Sequence, residues 1–198
     1  MKREKRPYRM GARAEAAEAT RRKLVDAMLA LFVERPFDAI TLEAVASRAG
    51  VTLQTLLRRF GSKAGLLAAA AEDGAARVAA QRGQAKAGDV ADCVANLFEH
   101  YEAWGDVALR LVGQEERFEE IAAVARSGRA MHAAWVERAF GPQLAEVRGK
   151  ARVLRRASLV AACDVATWKV LRRDVGLSPR DAERAVRDMV EAICRGGE

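Results

Sequence analysis

The sequence is poor in cysteine, histidine, proline and aromatic residues, and each shortage excludes a class of protein. Its 198 residues include 3 cysteines, 2 histidines and 4 prolines. Cys93, Cys163 and Cys194 are odd in number and far apart, which argues against a disulfide framework and favours a reducing compartment. No cysteines and histidines have the spacing of a zinc site, so we expect no metal and no cofactor. Aromatic residues make up only 6%, which favours a helical chain over a β-sandwich.

Long apolar runs are also lacking. No run approaches the roughly 18 residues of a membrane span, and the basic N-terminal segment lacks the apolar stretch of a signal peptide. We therefore expect a cytoplasmic protein without a membrane partner. Apolar residues still make up 51% of the chain, which excludes a disordered protein and provides for a sizeable core.

Charge is unevenly distributed along the chain. Residues 1–65 hold 14 of the 34 lysines and arginines and 7 of the 27 aspartates and glutamates, while the remainder holds 20 of each sign. The whole net charge of +7 therefore belongs to the first third of the sequence. A basic module on a neutral body favours a polyanionic partner, with nucleic acid the first candidate. A basic segment that only aids solubility is the alternative that charge alone leaves open.

Apolar residues recur at helical spacing in the first third of the chain. Residues 1–19 begin with a basic stretch that predicts a flexible arm. A first amphipathic helix is predicted from Thr20 to the break at Pro36. A second helix begins at Thr41, a good N-cap, and ends at Gly50, which suits a left-handed helix terminus.

The segment that follows completes a helix-turn-helix pattern. Thr52 is predicted to cap a third short helix, which Gly61 ends, and Ser62 to cap a fourth helix that begins at Lys63. Two short helices on either side of a tight glycine-containing turn are typical of this DNA-binding unit.

The remainder of the chain predicts further helices and no strands. Residues 118–140 fit one long helix, or two helices broken at Gly128, and residues 154–175 fit an apolar helix around Trp168. The sequence therefore predicts an all-α chain of about nine helices. We expect an arm at residues 1–19, a DNA-binding domain at 20–67 and a helical body at 68–198.

Residues 41–67, TLEAVASRAGVTLQTLLRRFGSKAGLL, resemble the DNA-binding signature of the TetR family of bacterial transcriptional regulators. The direct matches are Thr41, Ala46, Ala49, Gly50, Val51, Thr55, Leu56, Phe60, Ser62, Lys63 and Leu66. The chain departs from the signature at Leu57, where tyrosine is usual, and at Arg59, where histidine or tyrosine is usual. The resemblance implies an N-terminal three-helix helix-turn-helix domain followed by a ligand-binding and dimerisation domain.

The outward side of the third helix is the predicted reading surface. The Gln54 amide can read adenine in a bidentate contact worth about 1–3 kcal/mol of discrimination. Leu53 and Leu57 are expected to touch thymine methyl groups, although packing is the alternative for Leu57. The remaining predicted DNA-binding residues, mostly phosphate contacts, are Thr41, Thr52, Thr55, Arg58, Arg59 and Lys63.

The resemblance further implies an effector pocket and an intersubunit helical bundle in the body. Aromatic residues predict a pocket lined by Phe98, Tyr101, Trp104, Met131, His132 and Trp135. Apolar spacing predicts a dimer interface at Trp168, Ala182, Val186, Met189, Val190 and Ile193. This lining favours a largely apolar effector, while Glu99, Glu102 and Glu115 leave a cationic one open. For each of these residues, ordinary core packing within one chain is the alternative.

These patterns predict a sequence-specific DNA-binding regulator. We expect a repressor that binds a palindromic operator as a homodimer and is released by a small effector. A transcriptional activator and a ligand-independent regulator of the same fold are the alternatives. An enzyme is not expected, because GxSxG, HExxH, GxxxxGK[ST] and GxGxxG motifs are all missing.

Overall fold

The computed structural model describes residues 7–196, which are helical and contain no β-strand. The helices, in chain order, are α1 (Pro7–Glu34), α2 (Leu42–Ala49), α3 (Leu53–Phe60), α4 (Lys63–Arg82), α5 (Val90–Val112), α6 (Glu119–Ala139), α7 (Gly141–Ala145), α8 (Gly149–Ala162), α9 (Val165–Lys169) and α10 (Pro179–Arg195), with a π-helical turn at Val170–Asp174. The all-α prediction is confirmed. Within the described range, none of the helices is long and apolar enough to cross a membrane.

The first helix begins earlier than the sequence pattern predicted. α1 starts at Pro7, so residues 7–19 are helical and do not belong to a flexible arm. Proline suits the first position of a helix, and the alanine- and glutamate-rich run at residues 14–19 has high helix propensity. The predicted start at Thr20 lies in the middle of α1, where its hydroxyl donates to the Ala16 carbonyl at 2.8 Å. Residues 1–6 of the predicted arm lie outside the described residues.

The described residues divide into two compact units, one ending at Gly74 and the other starting at Ala75. The division falls within α4, whereas the sequence pattern placed it after residue 67. The first unit contains α1, α2, α3 and the first part of α4. The second contains the remaining helices.

Two N-caps and one glycine define the turn between α2 and α3. The Thr41 hydroxyl accepts from the Ala44 amide at 3.1 Å, and the Thr52 hydroxyl accepts from the Thr55 amide at 3.2 Å. Gly50 has φ +67° and ψ +35°, a left-handed conformation that costs little for a residue without a Cβ. The predicted helix-turn-helix is therefore present, with the predicted capping residues in place.

The short helices of the first unit are held by buried apolar side chains. α1 packs against α2, and α2 packs against α3. Leu24 and Met28 of α1, Val45 of α2 and Leu56 of α3 are each fully buried. Burial of a single such side chain contributes about 1.5–3 kcal/mol, which fixes the two short helices in place.

The second unit has its own core, built mainly from α5, α6, α8 and α10. Its largest fully buried side chains include Trp135, Phe140 and Trp168. α6 runs unbroken through Gly128, so the one-helix alternative for residues 118–140 is the right one. The helix predicted for residues 154–175 is instead interrupted, because the Asp164 carboxylate caps α9 by accepting from the Ala166 amide at 2.8 Å.

A close approach between α5 and Trp168 leaves no room for a side chain at Gly105 unless the indole ring shifts. A Cβ at Gly105 would stand 2.6 Å from a carbon of the fully buried Trp168 ring. At Gly128 of α6, by contrast, a Cβ would meet open space.

We predict that Gly105→Ala lowers the free energy of unfolding by about 1–3 kcal/mol, because the indole must move in a closed core. Gly128→Ala is the matched control and should raise that free energy by up to about 1 kcal/mol, through its higher helix propensity. Urea unfolding followed by circular dichroism measures both effects. An equal response at the two positions would contradict the packing described for Trp168.

Candidate nucleic-acid interface

The outward side of α3 presents an amide, an apolar side chain and a guanidinium. Leu56 is fully buried, and this single anchor fixes the rotation of the eight-residue helix. Gln54, Leu57 and Arg58 then lie on the exposed side at helical spacing of three and four residues. Leu57 is 41% exposed, so the packing alternative for this residue is not supported. An amide beside an apolar group and a cation can contact base edges and phosphate together.

The cations of α3 are free for an external partner. Arg58 and Arg59 are both exposed, and neither has a hydrogen-bond or ion-pair partner within the part of the chain that the structure describes. Thr52, the N-cap of α3, and Thr55, in its first turn, add two hydroxyl groups, whose Oγ1 atoms share a hydrogen bond at 3.0 Å. Leu53 and Thr55 are half-buried, and Thr41 is exposed at the start of α2.

The predicted phosphate contact of Lys63 needs correction, because its ammonium group is engaged within the protein. Its ammonium donates to the Phe37 carbonyl at 2.7 Å and to the Ile40 carbonyl at 2.9 Å. It also lies 4.2 Å from the centre of the Phe37 ring. Lys63 therefore ties the start of α4 to the loop between α1 and α2 and is not directed at a phosphate. A sequence signal for this role exists, because a cation in the first turn of a helix opposes the helix dipole and requires another partner.

Two further cations of the first unit are engaged within it. Arg48 of α2 contacts Glu34 of α1 at 2.6 Å, and this hydrogen bond holds the pKa of the Glu34 carboxyl below its ordinary value. Arg21 makes two hydrogen bonds to the Asp73 carboxylate, at 2.9 and 2.7 Å, which join α1 to α4. The basic charge of this unit is thus divided between internal clamps and the free arginines of α3.

Comparison with known proteins shows which family the sequence of the first unit resembles. Residues 24–70 match the family model for bacterial regulatory proteins of the tetR family. This match spans α2, α3 and the flanking halves of the helices around them. The first unit therefore carries the DNA-binding domain of the TetR family of bacterial regulators. Such a domain implies a DNA-binding transcriptional regulator. In a helix-turn-helix the second helix is the recognition helix, and α3 occupies that place here.

Solved structures share the fold of this chain over most of its length. A transcriptional regulator from Rhodococcus sp. Rha1 has a TM-score of 0.70 at 18% identity, covering 89% of this chain and 96% of its own. A TetR transcriptional regulator from the same source has a TM-score of 0.53 at 18% identity, covering 90% and 97%. A TetR-family regulator from Streptomyces coelicolor A3 has a TM-score of 0.51 at 22% identity, covering 89% and 95%. No match was found among the curated proteins.

The residues predicted to line an effector pocket lie mostly in the packed core of the second unit. Phe98, Tyr101 and Trp135 belong to the closed core of the second unit, and His132 is buried beside them. Met131 is half-buried and Trp104 is 37% exposed. Two open depressions, of about 640 and 500 Å³, are lined by other residues, around Gly88 and along α10.

The predicted dimer interface also needs correction. Trp168, Ala182, Val186 and Val190 are buried in the core of their own chain, so they cannot meet a second copy. Ile193 packs against the same core and is half-buried. Met189 alone of the predicted set is exposed. A single apolar stripe on a sequence cannot distinguish the intrachain side of a helix from its intersubunit side.

We predict that Lys63→Ala lowers the free energy of unfolding by about 1–3 kcal/mol, because two loop carbonyls lose a charged donor. Arg59→Ala should leave stability within about 0.5 kcal/mol and should instead weaken the salt dependence of DNA binding, by about one phosphate contact. Thermal unfolding and binding titrations at several salt concentrations separate the two effects. A Lys63→Ala protein of unchanged stability would show that the clamp contributes nothing.

Proposed function

We propose that this TetR-family chain is a cytoplasmic repressor that binds a palindromic operator as a homodimer and is released by a small molecule. The observation that carries the proposal is the outward side of α3, where Gln54, Leu57 and Arg58 are exposed together. An exposed apolar side chain between two polar groups is of little use to a solvated helix. It suits a helix that enters the major groove, where thymine methyl groups offer apolar contacts.

Different side chains on and next to α3 are suited to base contacts and to phosphate contacts. Gln54 has the amide that reads adenine, and Leu57 can contact a neighbouring methyl group. Arg58, Arg59 and the hydroxyls of Thr52 and Thr55 lie on either side and can hold phosphates. An arginine in place of the usual aromatic residue at position 59 offers a charge-assisted contact, which offsets the missing hydroxyl at Leu57.

Dimerisation follows from the small size of the reading surface. One eight-residue helix reaches only a few base pairs, and two copies related by a two-fold axis read half-sites about 34–36 Å apart. A palindromic operator is the DNA counterpart of that symmetry.

The outward sides of α8 and α10, which pack against each other, support a dimer surface. On α8 the exposed stripe consists of Leu154, Ala157, Ser158 and Ala161, and Leu154 is 56% exposed. On α10 the corresponding stripe consists of the exposed Met189 and Ala192 and the half-buried Ala185. Small and apolar residues at helical spacing allow helices of two copies to approach closely in a four-helix bundle. We therefore place the interface on these outward stripes.

Effector release requires a link between the body and the recognition helix, and α4 supplies a covalent one. α4 begins at Lys63, which clamps the loop before α2, and ends at Arg82, a buried residue of the second unit. A ligand that displaces the end of α4 can thus change operator affinity, and linkage requires that the operator weaken ligand binding by the same factor.

We predict that selection from a random duplex pool yields a palindrome whose half-sites lie one helical turn apart. Gln54→Ala should change the preferred base at one position of each half-site, with a loss of about 1–3 kcal/mol at that position only. Arg58→Ala is the matched control on the same face, and it should weaken binding to all sequences alike. If both variants lose affinity evenly across the pool, the assignment of Gln54 to base readout is wrong.

We predict that Leu154→Glu produces a monomer of unchanged helical content, because a carboxylate buried in a two-fold interface costs several kcal/mol. Val112→Glu places the same charge on an exposed apolar position of α5 and should leave the dimer intact. Analytical ultracentrifugation measures both. A dimer that survives Leu154→Glu and Met189→Glu would move the interface away from α8 and α10.

A further inference from the structure

A buried arginine without a carboxylate partner lies in the core of the second unit. Arg82, the last residue of α4, is only 5% exposed. Its Nη1 donates to His132 Nδ1 at 3.2 Å, while its Nε has no hydrogen-bond partner. Its guanidinium carbon lies 5.3 Å from the centre of the Tyr101 ring and 5.1 Å from that of the Trp135 ring. Within the described residues no carboxylate lies within ion-pair distance of it.

The other side chains around Arg82 do not supply a negative charge. Arginine only donates, so His132 accepts at Nδ1 and uses its Nε2 proton toward the Val160 carbonyl, 3.1 Å away. Burial lowers the pKa of His132, and burial with repulsion from Arg82 lowers that of His100 to about 3. Burial raises the pKa of Tyr101 to about 12, against the attraction of Arg82. Among Arg82, His132, His100 and Tyr101, only the guanidinium therefore carries a charge, and no carboxylate is paired with it.

Other arginines with little exposed side chain have a carboxylate partner, which Arg82 lacks. Arg155 is similarly buried, and its Nε likewise has no hydrogen-bond partner, but its Nη1 contacts the Glu146 carboxylate at 3.2 Å and the Gln143 carbonyl at 2.8 Å. Arg172 contacts Glu102 at 2.7 Å. The missing carboxylate is therefore what distinguishes Arg82. The Asp164 carboxylate, whose charge acts on Tyr101 and His132, accepts from the Ala166 amide and caps α9. A buried cation without a counter-ion is costly, because burial removes its hydration without an ion pair to replace it. Such a group is a candidate binding site for an anion that would supply the missing charge.

We propose that Arg82 is the anchor of an effector site for a small organic acid whose carboxylate pairs with the guanidinium. A guanidinium matches a carboxylate in shape and in hydrogen-bond geometry, and Nε is a free donor for it. The aromatic rings of Tyr101 and Trp135 and the Cys163 thiol favour an apolar or aromatic body for that acid. The proposal rests on the effector response proposed above and names its ligand class. It also retains three of the predicted pocket residues, Tyr101, His132 and Trp135, in a site organised by a cation.

Binding is tested on the full chain without DNA. The probes are benzoate, phenylacetate and octanoate, each paired with its neutral amide at matched ionic strength, with inorganic phosphate as a separate arm. An acid reaches Nε by displacing the rings around it, so Trp135 fluorescence and the Tm both report binding. We expect at least one acid to bind tenfold or more tightly than its amide and to raise the Tm. Equal binding of acid and amide, binding of phosphate alone, or no binding of any acid at millimolar concentration overturns the proposal.

Substitutions locate the site. Arg82→Gln should weaken binding of the acid at least tenfold, while Arg155→Gln, the matched buried control, should leave it within about threefold. Acid binding that survives Arg82→Gln overturns the proposal. If Arg82→Gln does not fold, the comparison of acid with amide on the unaltered chain still tests whether the protein binds a carboxylate.

Stability without any probe gives an independent readout. Arg82→Met keeps the volume and removes an uncompensated charge, so it should raise the Tm by a few degrees. Arg155→Met removes a paired charge and should lower it. A fall in Tm for Arg82→Met as large as that for Arg155→Met would assign a purely structural role to Arg82 and overturn the proposal.

The outcome for the acid site is separable from that for operator binding. A chain that selects a palindrome but binds no acid retains the repressor proposal and loses this site. A chain that binds an acid through Arg82 without any change in operator affinity retains the site and loses effector release.

Discussion

An eight-residue helix does not persist in water by itself, and the helix that carries Gln54 has eight residues. Its existence and direction depend on what packs behind it. Leu56 provides the buried contact, Thr52 caps the first turn, and Gly50 lets the chain reverse from α2. The DNA-reading surface is thus a product of tertiary packing, and helix propensity contributes little to it.

The positive charge of the first unit serves two purposes that net charge alone cannot distinguish. Arg21 and Arg48 are paired with carboxylates, and Lys63 is bound to two loop carbonyls. These contacts join α1 to α4, α1 to α2 and the preceding loop to the start of α4. Arg58 and Arg59 remain available for phosphates. The internal contacts of Arg21, Arg48 and Lys63 hold the framework, so the free cations of α3 keep a fixed position.

The second unit combines a well-packed core with one unfavourable element. Trp168 is seated against Gly105, and Tyr101, Trp135 and Phe140 fill the space between the helices. Arg82 lies among these rings as a buried cation with an unpartnered Nε. Proteins commonly sacrifice stability at functional sites, where a ligand later supplies the missing contact. Because the core excludes water, the unpaired charge of Arg82 inside it costs more free energy than it would at the surface.

The sequence by itself determined the helical class, the helix-turn-helix and its caps, because these depend on short-range spacing of apolar, capping and glycine residues. It also placed Gln54 and Leu57 on one face of α3, since that face follows from helical periodicity. Tertiary structure alone decided that Lys63 is a clamp, that Val186 and Val190 face their own chain, and that Arg82 is buried without a carboxylate. Each of these depends on contacts between residues far apart in sequence, and no local pattern encodes which neighbour a side chain meets.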